Sequence, residues 1–313
     1  MQWILVSIVF FWLGTYLWQR HNRSKLYYSS RDQFSKVSMH TIRRINEKAA
    51  NFLEDKIAKW DSLSRWSYLI KYEIIKREIE SSQNINEKSK LLDVGCGDGF
   101  FLNLVGQTGS FLNSSLWGID IAKRHLEIVK KRLPNCNAYC SMTENLPFKS
   151  SSFDIVVSTE CLEHLINPKA GFKEIIRVAN DNIFIIVPSI HSMFIMCWNP
   201  ITWIEAILGL YYPNILPKFH NLYNPHDKNH LSVHYAFNRK EIQEWLNGLS
   251  NVNVTSCDYP SVFRLIYVVF KKLRLCGNDN QLMLKCFRIE QRIFKKISIL
   301  NSLGKTMVII ARK

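Results

Sequence analysis

The chain has 313 residues, 47% of them apolar, and 41 Lys and Arg against 26 Asp and Glu for a net charge of +15. That apolar fraction excludes a disordered chain, and the length suffices for one large core rather than a small stapled domain. The eight cysteines are scattered, with no C-x-x-C pair and no histidine at finger spacing, which speaks against a disulfide framework and a structural zinc.

Residues 1–18 carry no charged side chain, and Gln2, Ser7 and Thr15 interrupt an otherwise bilayer-like run. A helix of that length reaches roughly 27 Å, the short end of a membrane span. A cleaved signal peptide would want a basic start and a small-residue cleavage site. Neither is visible. Arg20, Arg23 and Lys25 follow the run, so the positive-inside rule predicts a single N-terminal anchor with the rest of the chain in the cytoplasm. A helix lying in the interface is the rival reading. Residues 19–69 read as a basic helical linker region.

Leu91-Leu92-Asp93-Val94 reads as a short buried strand, and Gly95, Cys96, Gly97, Asp98 and Gly99 follow as a turn. Glycines suit a backbone that must turn sharply and let a ligand lie against it. The apolar run from Phe100 then opens a helix, as in the first unit of a nucleotide-binding α/β sheet. Phe100 stands where a dinucleotide fingerprint has its third glycine, which disfavours a nicotinamide dehydrogenase. Cys96 reads as a packing residue, and burial is the default for Cys136 and Cys140.

Leu116 to Asp120 is the second strand, ending in an acid 21 residues after Gly99. A carboxylate there accepts hydrogen bonds from ribose hydroxyls. Capping of the helix at 122–132 is the other reading of Asp120. Residues 141–148 form a loop, Phe153 to Ser158 a strand, and 159–168 the segment Thr-Glu-Cys-Leu-Glu-His-Leu-Ile-Asn-Pro. Lys173 to Val178 continue as an amphipathic helix, and Asn182 to Val187 is an apolar run typical of a central parallel strand.

The glycine turn, Asp120, Pro147-Phe148 and Glu163-His164 agree in order and spacing with the class I S-adenosylmethionine (SAM) methyltransferases, and the chain from about residue 70 onward resembles their type 11 and ubiquinone-biosynthesis-like members. The resemblance implies a Rossmann-like α/β domain over residues 70–313, with a seven-stranded, mostly parallel sheet and helices on both faces. Strands over 251–255 and 305–311 would close it, the last antiparallel. It implies SAM as cofactor, with Asp93, Gly95, Cys96 and Gly97 beneath its amino-acid part, Asp120 at the ribose, and Ile121, Met142 and Thr143 around the adenine. Met142 departs from the family, which often has an Asp there, so the backbone of Met142 and Thr143 would take over that contact. Glu160 lies at the carboxyl end of the sheet as a further cofactor contact.

Glu160, His164 and His230 are the candidate catalytic residues, as bases for a hydroxyl acceptor. His164 has a structural reading as well, as a pin for its loop, and the pair His230 and His234 a metal-binding one. Residues 189–230 form an apolar, aromatic insertion rich in Trp, Phe and Tyr and broken by Pro200, Pro213 and Pro217. In the family this segment lies over the active site. A second span or core packing is the alternative. Basic and apolar residues alternate from Val262 to Lys296, a composition suited to an anionic membrane surface. No stacking platform or nucleic-acid motif accompanies the charge.

Together these features predict a membrane-anchored, SAM-dependent methyltransferase acting on a lipid, quinone-precursor or lipid-linked saccharide. A soluble metabolite as acceptor and a non-catalytic SAM-binding scaffold are the rivals.

Overall fold

The computed structural model describes residues 43, 47, 53–82, 84–107, 111, 115–189, 237–259, 262–296, 304 and 306–313. The anchor expected at 1–18, most of the insertion 189–230, and His230 with His234 lie outside the described residues. Among the described residues no helix is long and apolar enough to cross a membrane.

Two helices, α1 (Leu53–Ala58) and α2 (Ser62–Ser81), precede the sheet. Then come β1 (Leu91–Val94), α3 (Phe100–Gly106), β2 (Leu116–Asp120), α4 (Lys123–Arg132), β3 (Asn137–Cys140) and β4 (Phe153–Thr159). A short 3-10 turn at Leu162–His164 leads to α5 (Pro168–Val178) and β5 (Ala179–Pro188). The C-terminal part holds α6 (Arg239–Trp245), β6 (Ser250–Cys257), α7 (Val262–Lys272), α8 (Gln281–Lys296) and β7 (Thr306–Arg312).

The seven strands form one sheet in the order β3-β2-β1-β4-β5-β7-β6. The first five are parallel, and β7 inserts antiparallel between β5 and β6. Side chains alternate across each strand, so both faces of the central strands must be apolar. Leu92, Val94, Val156, Ile183, Ile185 and Val187 pack on one face with Phe172 and Ile175 of α5 and Ile242 of α6. Leu91, Ile155, Val157, Phe184 and Ile186 pack on the other with Ile75 of α2, Phe101 of α3 and Val129 of α4. This explains why β5 reads as an unbroken apolar run rather than an alternating one.

Helix α5 starts earlier than the periodicity predicts: Asn167 caps it by accepting from Ala170 N at 3.1 Å, with Pro168 at its first position. Cys140 is a correction. It is exposed, because β3 is the sheet's edge strand and its last residues face outward.

Helix α2 runs unbroken through residues 69 and 70, where the resemblance places the start of the domain. Asp61 caps it, accepting from Ser64 N at 2.9 Å. Tyr72, Ile75 and Ile79 join the sheet core, while Leu63 packs with Tyr267, Leu284 and Phe287 of α7 and α8. The helix therefore links two apolar clusters. Ile75 is fully buried, so Ile75→Ala should lower the unfolding free energy by about 2–5 kcal/mol in a urea titration. A loss well under 1 kcal/mol would detach α2 from the core.

Candidate active site

The strand order reverses between β1 and β4, and in open α/β sheets ligands bind at the carboxyl ends of the strands at such a point. A cleft lies there. Gly95 and Gly97 contribute from the turn after β1, Asp120 and Ile121 from the end of β2, Met142 and Thr143 from the loop after β3, and Glu160, Cys161 and His164 from the end of β4. These sequence-predicted residues thus come together on one wall system. Asp93 and Cys96 are buried just behind it.

The turn is held to β2 by its backbone. Gly95 N and Cys96 N both donate to Ile119 O, at 2.8 and 2.9 Å, and Gly97 N donates to Asp120 Oδ2 at 2.9 Å. Gly95 has φ +76°, and a Cβ there would sit 2.3 Å from Cys161 Sγ. Only glycine lets the β1 turn and the β4 turn close on each other at this spacing. Gly97, at φ +53°, has open space where its Cβ would be. Its bare backbone faces room for a ligand.

Asp120 Oδ1 accepts from Ala122 N at 2.8 Å and faces His125 Nδ1 at 3.1 Å. It therefore braces the start of α4 and the glycine turn at once, while still lining the cleft. His125 is a residue that sequence reasoning missed, signalled only by its place in the first turn after an acid-ended strand. Burial opposes its charged form, but the Asp120 hydrogen bond and the charges of Asp120, Asp98 and Glu47 prevail and raise its pKa above 6.5.

Asp93 is 1% exposed, and neither carboxyl oxygen has a hydrogen-bond partner among the described residues. Burial, with Asp120 and Asp98 adding negative potential, raises its pKa to about 8. An unpaired buried acid directly before the glycine turn is costly unless a cation arrives. The ammonium of a bound amino acid is such a cation, so the residues present fit the cofactor that the resemblance implies.

The opposite end of the cleft depends on α2. Lys71, 4% exposed, reaches across and forms a close ion pair with Glu160. Its ammonium also lies 4.1 Å from the centroid of the Tyr68 ring and 5.4 Å from that of Tyr72. The two hydroxyls are 3.1 Å apart, and burial raises both phenol pKa values. Glu160 itself sits at φ +54°, its N–H donating to Ile186 O at 3.0 Å, a backbone state that non-glycine residues rarely adopt. Glu163 is buried behind it, and burial together with the Glu160 charge pushes its carboxyl pKa well above the usual range. Nothing in the local pattern of α2 marks Lys71 as a pocket residue; its partner is 89 positions away.

The loop carrying Met142 and Thr143 is pinned by α5. Arg177 donates to Phe148 O at 2.7 Å and Leu146 O at 3.0 Å, and Glu174 accepts from Leu146 N at 2.7 Å. Thr143 is buried and its hydroxyl lies 3.6 Å from Cys161 Sγ; Met142 is exposed.

Removing one member of a largely buried ion pair strands the other charge. Lys71→Met should cost about 2–4 kcal/mol of stability, and Lys71→Met/Glu160→Gln should recover part of that loss. Strict additivity of the two single changes in a thermal-melt cycle would show that the pair is not coupled.

Residues 92–187 match a family described as "Methyltransferase domain". A demethylmenaquinone methyltransferase of Chlorobaculum parvum is 26% identical over 137 residues, 43% of this chain and 52% of that protein. A ubiquinone biosynthesis O-methyltransferase of Coxiella burnetii is 29% identical over 188 residues, 56% of this chain and 70% of that protein. The aligned stretch thus spans about half the length of the Chlorobaculum relative. Among solved structures, magnesium protoporphyrin IX methyltransferase from Synechocystis, with bound SAH, superposes with a TM-score of 0.46 at 12% identity, over 84% of this chain and 88% of that one.

Proposed function

We propose that the chain, whose residues 92–187 match a methyltransferase domain family, is a SAM-dependent methyltransferase acting on a hydrophobic acceptor. The observation that carries the reading is the cleft at the strand-order reversal, where a glycine turn, a strand-end acid and an unpaired buried acid meet. Gly95, Gly97 and Asp93 would hold the amino-acid end of SAM, Asp120 the ribose, and Ile121 with Met142 and Thr143 the adenine. When bound, SAM supplies an activated methyl group for in-line displacement.

The chain's own residues align the acceptor, exclude water and handle its proton. Leu165 and Ile166 give the cleft an apolar wall. Glu160 is tied to the Lys71 ammonium in an ion pair. His164, on the same wall, is the better base for a hydroxyl acceptor. Glu160, fixed by that ion pair, orients the acceptor.

Two further observations carry the acceptor class. Two relatives carry the names of quinone-biosynthetic enzymes, and residues 1–18 have the composition of a membrane anchor with basic residues after it. The enzyme is accordingly read as anchored by that segment, catalytic domain on the cytoplasmic side, taking a quinone precursor or other lipid-like substrate.

The test incubates full-length protein with methyl-labelled SAM and the membranes and cytosol of its source cell, then partitions the products. Label in organic solvent is expected. Label only in water would overturn the lipid-like acceptor, and no label despite SAM binding would overturn the activity.

Asp93 offers a check independent of the acceptor. Its raised pKa makes the folded state hold a proton that the unfolded state has lost between about pH 4 and 8. Stability therefore declines as pH rises through that window. Asp93→Asn should melt higher than the parent protein by a margin that is absent near pH 4, present at pH 6 and larger at pH 9. Capture of the SAM ammonium should ionise Asp93, so binding at pH 7 should release a proton, visible by calorimetry in buffers of different ionisation enthalpy. Binding without proton release would remove Asp93 from that role.

A further inference from the structure

Nine large apolar side chains are exposed among the described residues, and six of them, Phe270, Leu273, Leu275, Leu282, Ile289 and Ile293, belong to the α7–α8 hairpin. Their concentration is the first anomaly. Scattered exposed leucines need no explanation, whereas a cluster does.

Helix α8 shows how the cluster is built. Leu284 and Phe287 are buried against α2 and α7, and Gln291 is buried in hydrogen bonds to the Tyr259 backbone, which accounts for one face. Leu282, Cys286, Ile289 and Ile293 follow one another at i, i+4, i+7 and i+11, a straight ridge on the opposite face. Cys286 is half-buried and the other three are exposed. A helix at the edge of a soluble domain has one apolar face; this one has two. Lys285, Arg288, Arg292, Lys295 and Lys296 are all exposed and run along one flank of the ridge. From 270 to 296 there are eight Lys and Arg against only Asp279 and Glu290. Two of the cations have partners on α2 or its cap: Lys271 lies 3.9 Å from the capping Asp61, and the Arg288 guanidinium 5.8 Å from the Trp66 ring centroid.

We propose that the outer face of the α7–α8 hairpin docks on an anionic lipid bilayer. The apolar ridge enters the headgroup boundary, and the flanking lysines and arginines meet lipid phosphates and carboxylates. Leu273 and Leu275, in the turn after α7, extend the same apolar contact at the end of the hairpin where Leu282 begins α8. A second copy of this chain fits worse, because two such faces would bring like charges together. Nucleic acid fits worse too, because five of the six exposed apolar side chains are aliphatic and Phe270 alone could stack on a base. The proposal extends the reading of a lipid-like acceptor to the surface that meets the lipid.

The experiment uses the full chain and vesicles of phosphatidylcholine alone or mixed with phosphatidylserine, followed by flotation. Residues 1–18 contribute to both vesicle types, so the readout is the gain that phosphatidylserine confers. That gain should be roughly tenfold or more at about 0.1 M salt and should vanish near 1 M. Lys285→Gln/Arg292→Gln should reduce it by roughly tenfold, and Ile289→Gln/Ile293→Gln should also lose most of it, both with unchanged SAM affinity as the control for folding. Equal binding to the two vesicle types would overturn the proposal. So would variants that keep the full gain, or ridge substitutions that instead abolish self-association in sedimentation. Docking requires no methyl transfer: a chain that docks but transfers no methyl group leaves this surface standing, and one that transfers without the gain overturns this surface alone.

Discussion

The cleft exists because the turn after β1 is pressed against the ends of β2 and β4. One carbonyl, that of Ile119, accepts two successive N–H groups, and the Asp120 carboxylate accepts a third. At that separation the Cys161 side chain fills the space a Cβ at residue 95 would need. The constraint is steric before it is chemical. It makes Gly95 irreplaceable for the closure, aims the bare Gly97 backbone into open space, and leaves Asp93 enclosed with no hydrogen-bond partner among the described residues. The parallel core on both faces of the sheet holds the three strand ends rigidly enough for this to persist.

Around that closure the protein keeps a graded set of acids. Asp120 is satisfied by backbone N–H groups and His125. Glu160 is matched by Lys71. The Glu163 pKa is pushed up by burial in the interior, and that of Asp93 is raised to about 8. Each state follows from what surrounds the carboxyl rather than from the residue type. Such divergence among near neighbours is common where ligands bind.

Much of this was legible along the chain. Three glycines at alternate positions after an apolar strand, an acid at the end of the next strand, and the run at 182–188 located β1, β2, β5 and the mouth of the cleft. These signals are local, because turn geometry and strand burial act over a few residues. The start of α5 was missed since Pro168 and its Asn167 cap sit ahead of the periodic stretch. Cys140 was misplaced because burial of a strand end depends on whether another strand lies beyond it. Lys71 and His125 were invisible for a different reason: a lysine on an amphipathic helix and a histidine in a helix's first turn are ordinary until a distant carboxylate lands beside them.

The sequence by itself determined the order of strands and helices, the glycine turn, the acids at the strand ends and the double apolar pattern of α8, since each is written in short-range spacing and side-chain chemistry. Only the tertiary structure decided which charges meet and which stay alone. Whether Asp93 finds a partner, whether Lys71 reaches Glu160, and which face of α8 remains open depend on long-range packing that brings residues far apart in the chain within a few ångströms of one another.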